Sequence, residues 1–281
     1  MSTYIEPSSN LSEAWLRTLE HVADAGGHEV NVLTTITDPL AAENEGIRSV
    51  LDELLTAPRG KLRVQSVETV AGTIFPRDIY ADTGLTFVPG MDEGSLAKLD
   101  ASATDLYACY MEMLPILTTD TGNRNGTYFG RMVCWPGRTG GGRNQLADRI
   151  THFRRARTRN INQRNLEDIA VGGEAELLDL QGFQIYAASD LREYGFPCLV
   201  HVDLTLYQGR ISMAATYRHQ FLITKAYGNL LGLARLLGFL AQQTGYGVGE
   251  LMVNATFADA QRADYTKAGV AELITAARAA S

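Results

Sequence analysis

The stretch FPCLVHVDLTLYQGRISMAATYRHQFLITKAYGNLLGLARLLGFLAQQTG, residues 196–245, decides how this chain reads. Leu199 to Tyr207 and Ile211 to Tyr217 are strand-like runs, and Gln208-Gly209 between them is a two-residue hairpin signal. Apolar residues then recur at Ala226, Leu230, Leu233, Leu237 and Leu240, three and four apart, which is the period of a helix face. Gly245 supplies the C-terminal stop of that helix. Three polar or reactive residues punctuate the pattern. Cys198 follows Pro197 and opens the first strand, Arg218 closes the second, and Asn229 interrupts the apolar face of the helix.

The rest of the chain places helices on both sides of these strands. Leu11 to Ala25 reads as a helix capped by Ser9 or Asn10, and His28 to Thr35 as a strand. Glu45 to Leu55 reads as a helix broken by Pro58-Arg59-Gly60, and Val64 to Phe75 as a helix ended by Pro76. Gly84 to Gly94 reads as loop and Ala101 to Leu117 as helix. The tract NRNGTYFGRMVCWPGRTGGGRNQ, residues 123–145, is glycine-rich and basic, and is expected to be irregular and exposed. Asn144 to Arg157 is a helix whose basic end suits the helix dipole. Phe183 to Ala188 and Leu251 to Phe257 are further strands, and an alanine-rich helix closes the chain. Strands cluster centrally rather than alternating with helices. The fold class is therefore α+β, a largely antiparallel or mixed sheet flanked by helices, with a long central helix after a β-hairpin. No linker clearly divides the chain, so residues 1–281 read as one domain.

Composition narrows the function. Of 281 residues, 45% are hydrophobic and 20% charged, ordinary for a globular protein with a good-sized core. A formal net charge of −7 argues against nucleic acid as a partner, though not against one small anion held by a few arginines. Cys109, Cys134 and Cys198 are widely spaced, which disfavours a disulfide framework or a metal site and points to a reducing cytoplasm. The N-terminus lacks a signal-peptide pattern. The longest apolar region, Leu230 to Ala241, is broken by Gly232, Arg235 and Gly238 and is too short and amphipathic to cross a membrane.

The punctuating residues carry recognisable chemistry. Arg218 presents a planar fork of N–H donors suited to a phosphate, and Arg154, Arg155, Arg157 and Arg159 form a basic cluster with the same capacity. A solvated helix end explains that cluster equally well. Asn229 offers a donor and an acceptor, which match the edge of a pyrimidine and equally suit a helix cap or a hydrogen-bond network in the core. Cys198 alone is most often a small buried hydrophobe; as a nucleophile it needs nearby positive charge, which Arg218 can supply. His201 and Asp203 share a strand face that Cys198, at odd offset, does not. His219 is adjacent to Arg218 and can face a ligand.

Taken in order, Pro197-Cys198, Arg218, Asn229 and Thr244-Gly245 resemble the thymidylate synthase and pyrimidine-nucleotide hydroxymethylase superfamily. That family has a Pro-Cys at the start of a strand, a phosphate-binding arginine at the end of a hairpin, and an asparagine eleven residues later in a long helix ending near Thr-Gly. GTYFGR, residues 126–131, with Trp135-Pro136 and Asn144-Gln145, is similar to the family's Gly-x-x-Tyr-Gly, Trp-Pro and Asp-Gln segments. Arg154 to Arg159 fall near its arginine pair that reaches the partner subunit, and Glu68 near its proton-managing glutamate. There are departures. Leu199 stands where the family has histidine after the cysteine. His219, Gln220 and Phe221 follow the arginine in place of a serine and, shortly after, an aspartate. Phe129, beside Tyr128, replaces the tyrosine of Tyr-Gly. Asp259 and Gln261 are nearest to the sugar-binding His-x-Tyr pair, and ITAARAAS lacks the apolar tail that closes over folate.

The resemblance implies a chemistry. Cys198 adds to carbon 6 of a pyrimidine and makes carbon 5 nucleophilic. Arg218, with Arg157 and Arg159, anchors the 5′-phosphate, Asn229 holds the base edge, and His219 and Asp259 lie near the substrate. Glu68 or Tyr128 handles the carbon-5 proton. Trp135 belongs to the site of 5,10-methylenetetrahydrofolate, which supplies the carbon. A homodimer with arginines crossing the interface follows from the same resemblance. Hydroxymethylation is slightly favoured over methylation because the missing tail leaves a dry site less secure, and the altered sugar pair suggests a ribonucleotide such as CMP or UMP. The alternatives are a nucleotide-binding member that has lost one-carbon transfer and a reassigned enzyme on the same scaffold.

Overall fold

The structure is a computed structural model. It describes residues 3–57, 64–120, 123–124, 126–135, 142–159, 183–185 and 197–281. Its elements in chain order are β1 (Thr3–Tyr4), α1 (Leu11–Asp24), β2 (His28–Ile36), α2 (Glu45–Thr56), α3 (Val67–Gly72) and a 3₁₀ turn (Arg77–Ile79). Then come α4 (Glu93–Leu117), α5 (Tyr128–Val133), α6 (Gln145–Arg159), β3 (Phe183–Gln184), β4 (Leu199–Tyr207), β5 (Arg210–Tyr217) and β6 (Gln220–Phe221). A π-turn (Leu222–Ala226) leads into α7 (Tyr227–Thr244), followed by β7 (Gly247–Asp259), α8 (Arg262–Tyr265) and α9 (Lys267–Ala279). Among the described residues the strands form one mixed sheet in the order β1-β2-β7-β5-β4-β3, with β6 on β7. β1–β2 and β6–β7 are parallel, while β2–β7 and β3–β4 are antiparallel. The α and β elements and the mixed sheet agree with the expected class.

The hairpin and the long helix stand where the sequence put them. Gln208 and Gly209 have φ of 50° and 75°, the conformation a two-residue hairpin loop demands. Gly245 ends α7 at φ 75°, and a Cβ there would lie 2.0 Å from the Phe87 carbonyl oxygen, so only glycine fits. Asn10 is the α1 cap, accepting the Glu13 N–H at 3.0 Å.

Three expectations are corrected. The 123–145 tract is not uniformly irregular and exposed: Tyr128–Val133 form a helix that buries Phe129, Gly130, Arg131, Met132 and Val133. Thr127 caps it, and alternating glycines had hidden its short apolar run. Val64 to Phe75 is helical only over Val67–Gly72, because Ser66 caps it late and Thr73 ends it. α4 starts at Glu93, eight residues before Ala101, because Asp92 accepts the Ser95 N–H at 2.9 Å. Of the strand expected over Phe183 to Ala188, β3 covers Phe183–Gln184 among the described residues, and the Ile185 N–H donates to the Val200 carbonyl at 3.1 Å. The breaker at 58–60 and residues 186–188 lie outside the described residues.

The chain divides into two compact units. Unit 1 is Met1–Phe75, Ala214–Arg235 and Gly249–Ser281; unit 2 is Pro76–Met213 and Leu236–Val248. The core of unit 1 joins Trp15, Leu16 and Leu19 of α1, Val32 and Ile36 of β2, Ile47 and Leu51 of α2, and Leu230 and Leu233 of α7. Two buried polar pairs tie it together: Trp15 Nε1 donates to the Leu222 carbonyl at 2.7 Å, and Ser12 and Tyr227 share a hydrogen bond of 2.8 Å. α3 seats against α7 at Gly228 and Gly232, where side chains would collide with Val67, Val70, Ala71 and Ile74. α9 packs Val270, Leu273 and Ala277 inward and brings the Ala280 carbonyl onto Gly46.

The core of unit 2 joins Leu99, Leu106 and Tyr110 of α4, Phe129 and Met132 of α5, Ile150 and Phe153 of α6, Val202 and Leu204 of β4, and Leu237 and Leu240 of α7. Arg154 knits this unit together. Its Nε donates to the Gln243 carbonyl at 2.6 Å, and its terminal nitrogens reach Asp100 at 2.5 Å and Gln243 Oε1 at 2.8 Å.

Candidate functional site

In unit 2 the head of β4 positions Cys198. Pro197 is buried and Cys198 half-buried in the bend that precedes the strand. The Tyr128 hydroxyl, at the start of α5, accepts the Leu199 N–H at 3.4 Å, so the phenol stands one residue from the thiol. Cys109, Cys134 and Cys198 all carry thiols. Trp135 is half-buried, and its backbone exchanges two 2.8 Å hydrogen bonds with Arg143 in an isolated antiparallel bridge. The adjacent segment 136–141 is outside the described residues.

The basic cluster on α6 divides. Arg154 is used internally, and its guanidinium also lies 4.8 Å from the Phe87 ring centroid. Arg157 stacks 4.9 Å from the Tyr246 ring, with its Nε buried and lacking a hydrogen bond. Arg155 and Arg159 are exposed. The tidy run of four arginines in sequence is thus two aromatic-stacked residues and two solvated ones, because a helix turns successive residues to different faces.

In unit 1, Arg218 occupies the bend directly after β5, and its carbonyl accepts the Thr256 hydroxyl at 2.6 Å. Asn229 lies in the first turn of α7 with 5% exposure. Among the described residues its side-chain amide has no hydrogen-bond partner. The amide carries both a donor and an acceptor, which a ligand with a complementary edge can meet.

Glu68, on α3, has both oxygens engaged. Arg235 donates at 2.6 and 3.1 Å and Arg48 at 3.1 Å. Arg48 also reaches Glu43 at 2.9 Å and Asp52 at 2.7 Å. The Arg235 hydrogen bonds, with Arg48, hold the Glu68 carboxyl below the usual carboxylate range. A carboxylate pinned between two guanidiniums is a poor proton acceptor.

His219 and Asp259 do come together. The Asp259 carboxylate is 3.6 Å from His219 Nε2 and, on its other oxygen, 3.4 Å from His28 Nε2. His28 had no distinguishing signal in the sequence. It becomes part of the site only because the β2–β7 register sets it opposite Asp259. Gln261 has a different task from its neighbour. It adopts φ 54°, and its Oε1 accepts from Ile223 N at 3.1 Å, Thr224 N at 2.8 Å and Thr224 Oγ1 at 3.1 Å, capping the turn that leads into α7.

Among the described residues no group of three His, Cys, Asp or Glu side chains could hold a metal ion, and no helix is long and apolar enough to cross a membrane. Neither a protein-family model nor a curated protein matches this chain.

Proposed function

We propose that this chain transfers a one-carbon unit to carbon 5 of a pyrimidine nucleoside 5′-monophosphate, on a thymidylate synthase-like fold and with hydroxymethylation favoured over methylation. The observation that carries the reading is Asn229, a buried amide without a partner among the described residues, eleven positions after an arginine that ends a hairpin strand. Cys198 at the head of the preceding strand is the nucleophile. Its sulfur adds to carbon 6, and the carbon 5–carbon 6 π pair moves to carbon 5. Arg218 is the residue assigned to the 5′-phosphate, as a planar fork of N–H donors suits it. Asn229 hydrogen-bonds the base edge and stabilises charge developing there. The Tyr128 hydroxyl, beside the Cys198 backbone, orders the groups around the thiol.

Trp135 is half-buried, and an indole is the kind of surface on which a pterin ring stacks. Trp135 is the residue we assign to methylenetetrahydrofolate, which would supply the carbon when bound. Water access favours the hydroxymethyl product. α9 packs Val270, Leu273 and Ala277 inward. A homodimer packed sheet to sheet is part of the same reading. Ser212, Ala214 and Thr216 make the second face of β5 small and half-exposed. Sedimentation showing only monomer at micromolar concentration would remove the dimer.

One observation favours a second reading, nucleotide binding without transfer. Gln261 is occupied in capping and His219 follows Arg218, so two of the positions that surround the family's substrate are differently used. The decisive experiment is tritium release from 5-³H-labelled CMP, dCMP, UMP and dUMP, with and without methylenetetrahydrofolate, for wild type and Cys198→Ser. Release that depends on Cys198 and is accelerated by the folate is expected. No release from folded protein, with a nucleotide-dependent thermal shift retained, selects the second reading.

A further inference from the structure

Asp259, at the end of β7, keeps hydrogen-bonding capacity that its neighbours do not use. Its Oδ1 accepts the Gln261 backbone N–H at 2.6 Å, which fixes the orientation of the carboxylate. Two imidazoles flank it, with His28 Nε2 3.4 Å from Oδ1 and His219 Nε2 3.6 Å from Oδ2. Both contacts are longer than a formed N–H···O hydrogen bond of about 2.7–3.2 Å. An ionised carboxylate has about four acceptor positions and no donor, so several stay open among the described residues. The side chain is 16% exposed, within reach of a ligand yet largely removed from water. Vicinal hydroxyls bring two strong donors side by side, one for each carboxylate oxygen.

The same carboxylate lies beside the Arg218 bend. His219 follows Arg218 in the chain, Phe221 pairs with Asp259 in the β6–β7 register, and Thr256 Oγ1 of β7 donates to the Arg218 carbonyl at 2.6 Å. All of these residues belong to unit 1. Charge orients a nucleotide here, since Asp259 repels a phosphate and attracts hydroxyl protons. In a nucleoside 5′-monophosphate only C5′ and C4′ lie between the phosphate ester oxygen and C3′, so the hydroxyl edge of the sugar is a few bonds from the phosphate. Dinucleotide-binding folds likewise use an acidic side chain near the phosphate site to hold a ribose hydroxyl. We infer that the substrate class is a ribonucleoside 5′-monophosphate and that Asp259 is the residue that selects ribose, its two oxygens accepting the 2′- and 3′-hydroxyls. This rests on the assignment of Arg218 to the phosphate in the function proposed above, and not on Cys198. His219, braced by Phe221 and Phe257 at centroid distances of 4.4 and 5.0 Å, walls the Oδ2 side. Deoxyribose supplies one hydroxyl and leaves an acceptor unmet in a site mostly removed from water.

The test is equilibrium binding, by isothermal titration calorimetry and without folate, of CMP, dCMP, UMP, dUMP and arabinosyl-CMP to wild type and Asp259→Asn, with urea midpoints to confirm folding. Wild type should bind the ribonucleotide of its preferred base on the order of 10–100-fold more tightly than the deoxyribonucleotide, the weight of one hydrogen bond to a charged group. Arabinosyl-CMP carries its 2′-hydroxyl on the ring face opposite the 3′-hydroxyl and should bind like dCMP. Asp259→Asn replaces one acceptor by a donor and should bring the ratio of ribose to deoxyribose affinity close to unity. A merely structural role would weaken both sugars alike and leave that ratio unmoved. Equal binding of ribo- and deoxyribonucleotides by wild type overturns the inference alone, as does an unchanged ratio in folded Asp259→Asn. If Asp259→Asn does not fold, wild type decides: arabinosyl-CMP bound as tightly as CMP overturns the inference. Folded wild type that binds none of the nucleotides overturns the proposed function as well.

Discussion

Replacing Gly228 by alanine tests the seating of α3 against α7. A Cβ at this position would lie 2.6 Å from Val70 Cβ, 2.7 Å from the Val67 carbonyl oxygen and 2.8 Å from Val70 Cγ1. Carbon contacts settle at about 3.5–4.0 Å, so the two helices must part by roughly 1 Å. Two of the three obstacles are fixed to the backbone and cannot rotate away. Overpacking of this kind costs about 1–3 kcal/mol, and the upper end applies here. Alanine's better helix propensity offsets roughly 1 kcal/mol, leaving a net loss of about 2 kcal/mol. With a urea m-value of about 2 kcal/mol/M, the unfolding midpoint should fall by about 1 M. Trp15 is the reporter, since it is buried in the same unit and donates to the Leu222 carbonyl. A Trp135→Phe background leaves it as the sole tryptophan, because the chain has 2. Gly72→Ala is the control: nothing lies within 4 Å of its Cβ, so it should be neutral or slightly stabilising. If Gly228→Ala proves as stable as Gly72→Ala, α3 does not seat on α7 as described.

Two further outcomes follow from the packing. Gln261→Ala removes the acceptor for two backbone N–H groups and one hydroxyl, and puts alanine at positive φ, so it should destabilise by about 2–3 kcal/mol. An unchanged urea midpoint would show that the cap contributes nothing. His201 is held below its ordinary range by burial, with Asp203 opposing, so the unfolded chain binds more protons than the folded protein near its unfolded value of 6.5. Stability on this account is full above that pH and is lost as pH falls through 6.5 toward the depressed folded value. His201→Gln should flatten the drop in urea midpoint between about pH 7.5 and 5.5; an identical drop in the variant refutes the assignment.

Much of the fold was legible because local chemistry and tertiary structure agree. The α1 cap, the Gln208-Gly209 turn, the period of α7 and its glycine stop each depend on residues within a few positions of one another. The errors fell where that condition fails. α5 is one and a half turns long and lies among glycines, so it shows no period, and only burial against α4 and α6 identifies it. The start of α4 depends on a single aspartate cap within a stretch that otherwise reads as loop. Of the candidate site, the order of Cys198, Arg218 and Asn229 was readable, as was their placement before β4, after β5 and on α7.

What each of these side chains is free to do was decided by contacts between residues far apart in the chain. Sequence alone determined that a strand begins just after Cys198, that a hairpin ends near Arg218, and that Asn229 would sit on a helix otherwise apolar, since backbone preference and hydrophobic spacing act locally. Only the tertiary structure decided that Glu68 is pinned by Arg235 and Arg48, that Arg154 spends its donors on Gln243 and Asp100, and that Asp259 stands between His28 and His219. The physical reason is that a charge takes its meaning from the nearest opposite charge. For these residues the nearest charge is set by sheet register and helix crossing, over separations that local sequence does not encode.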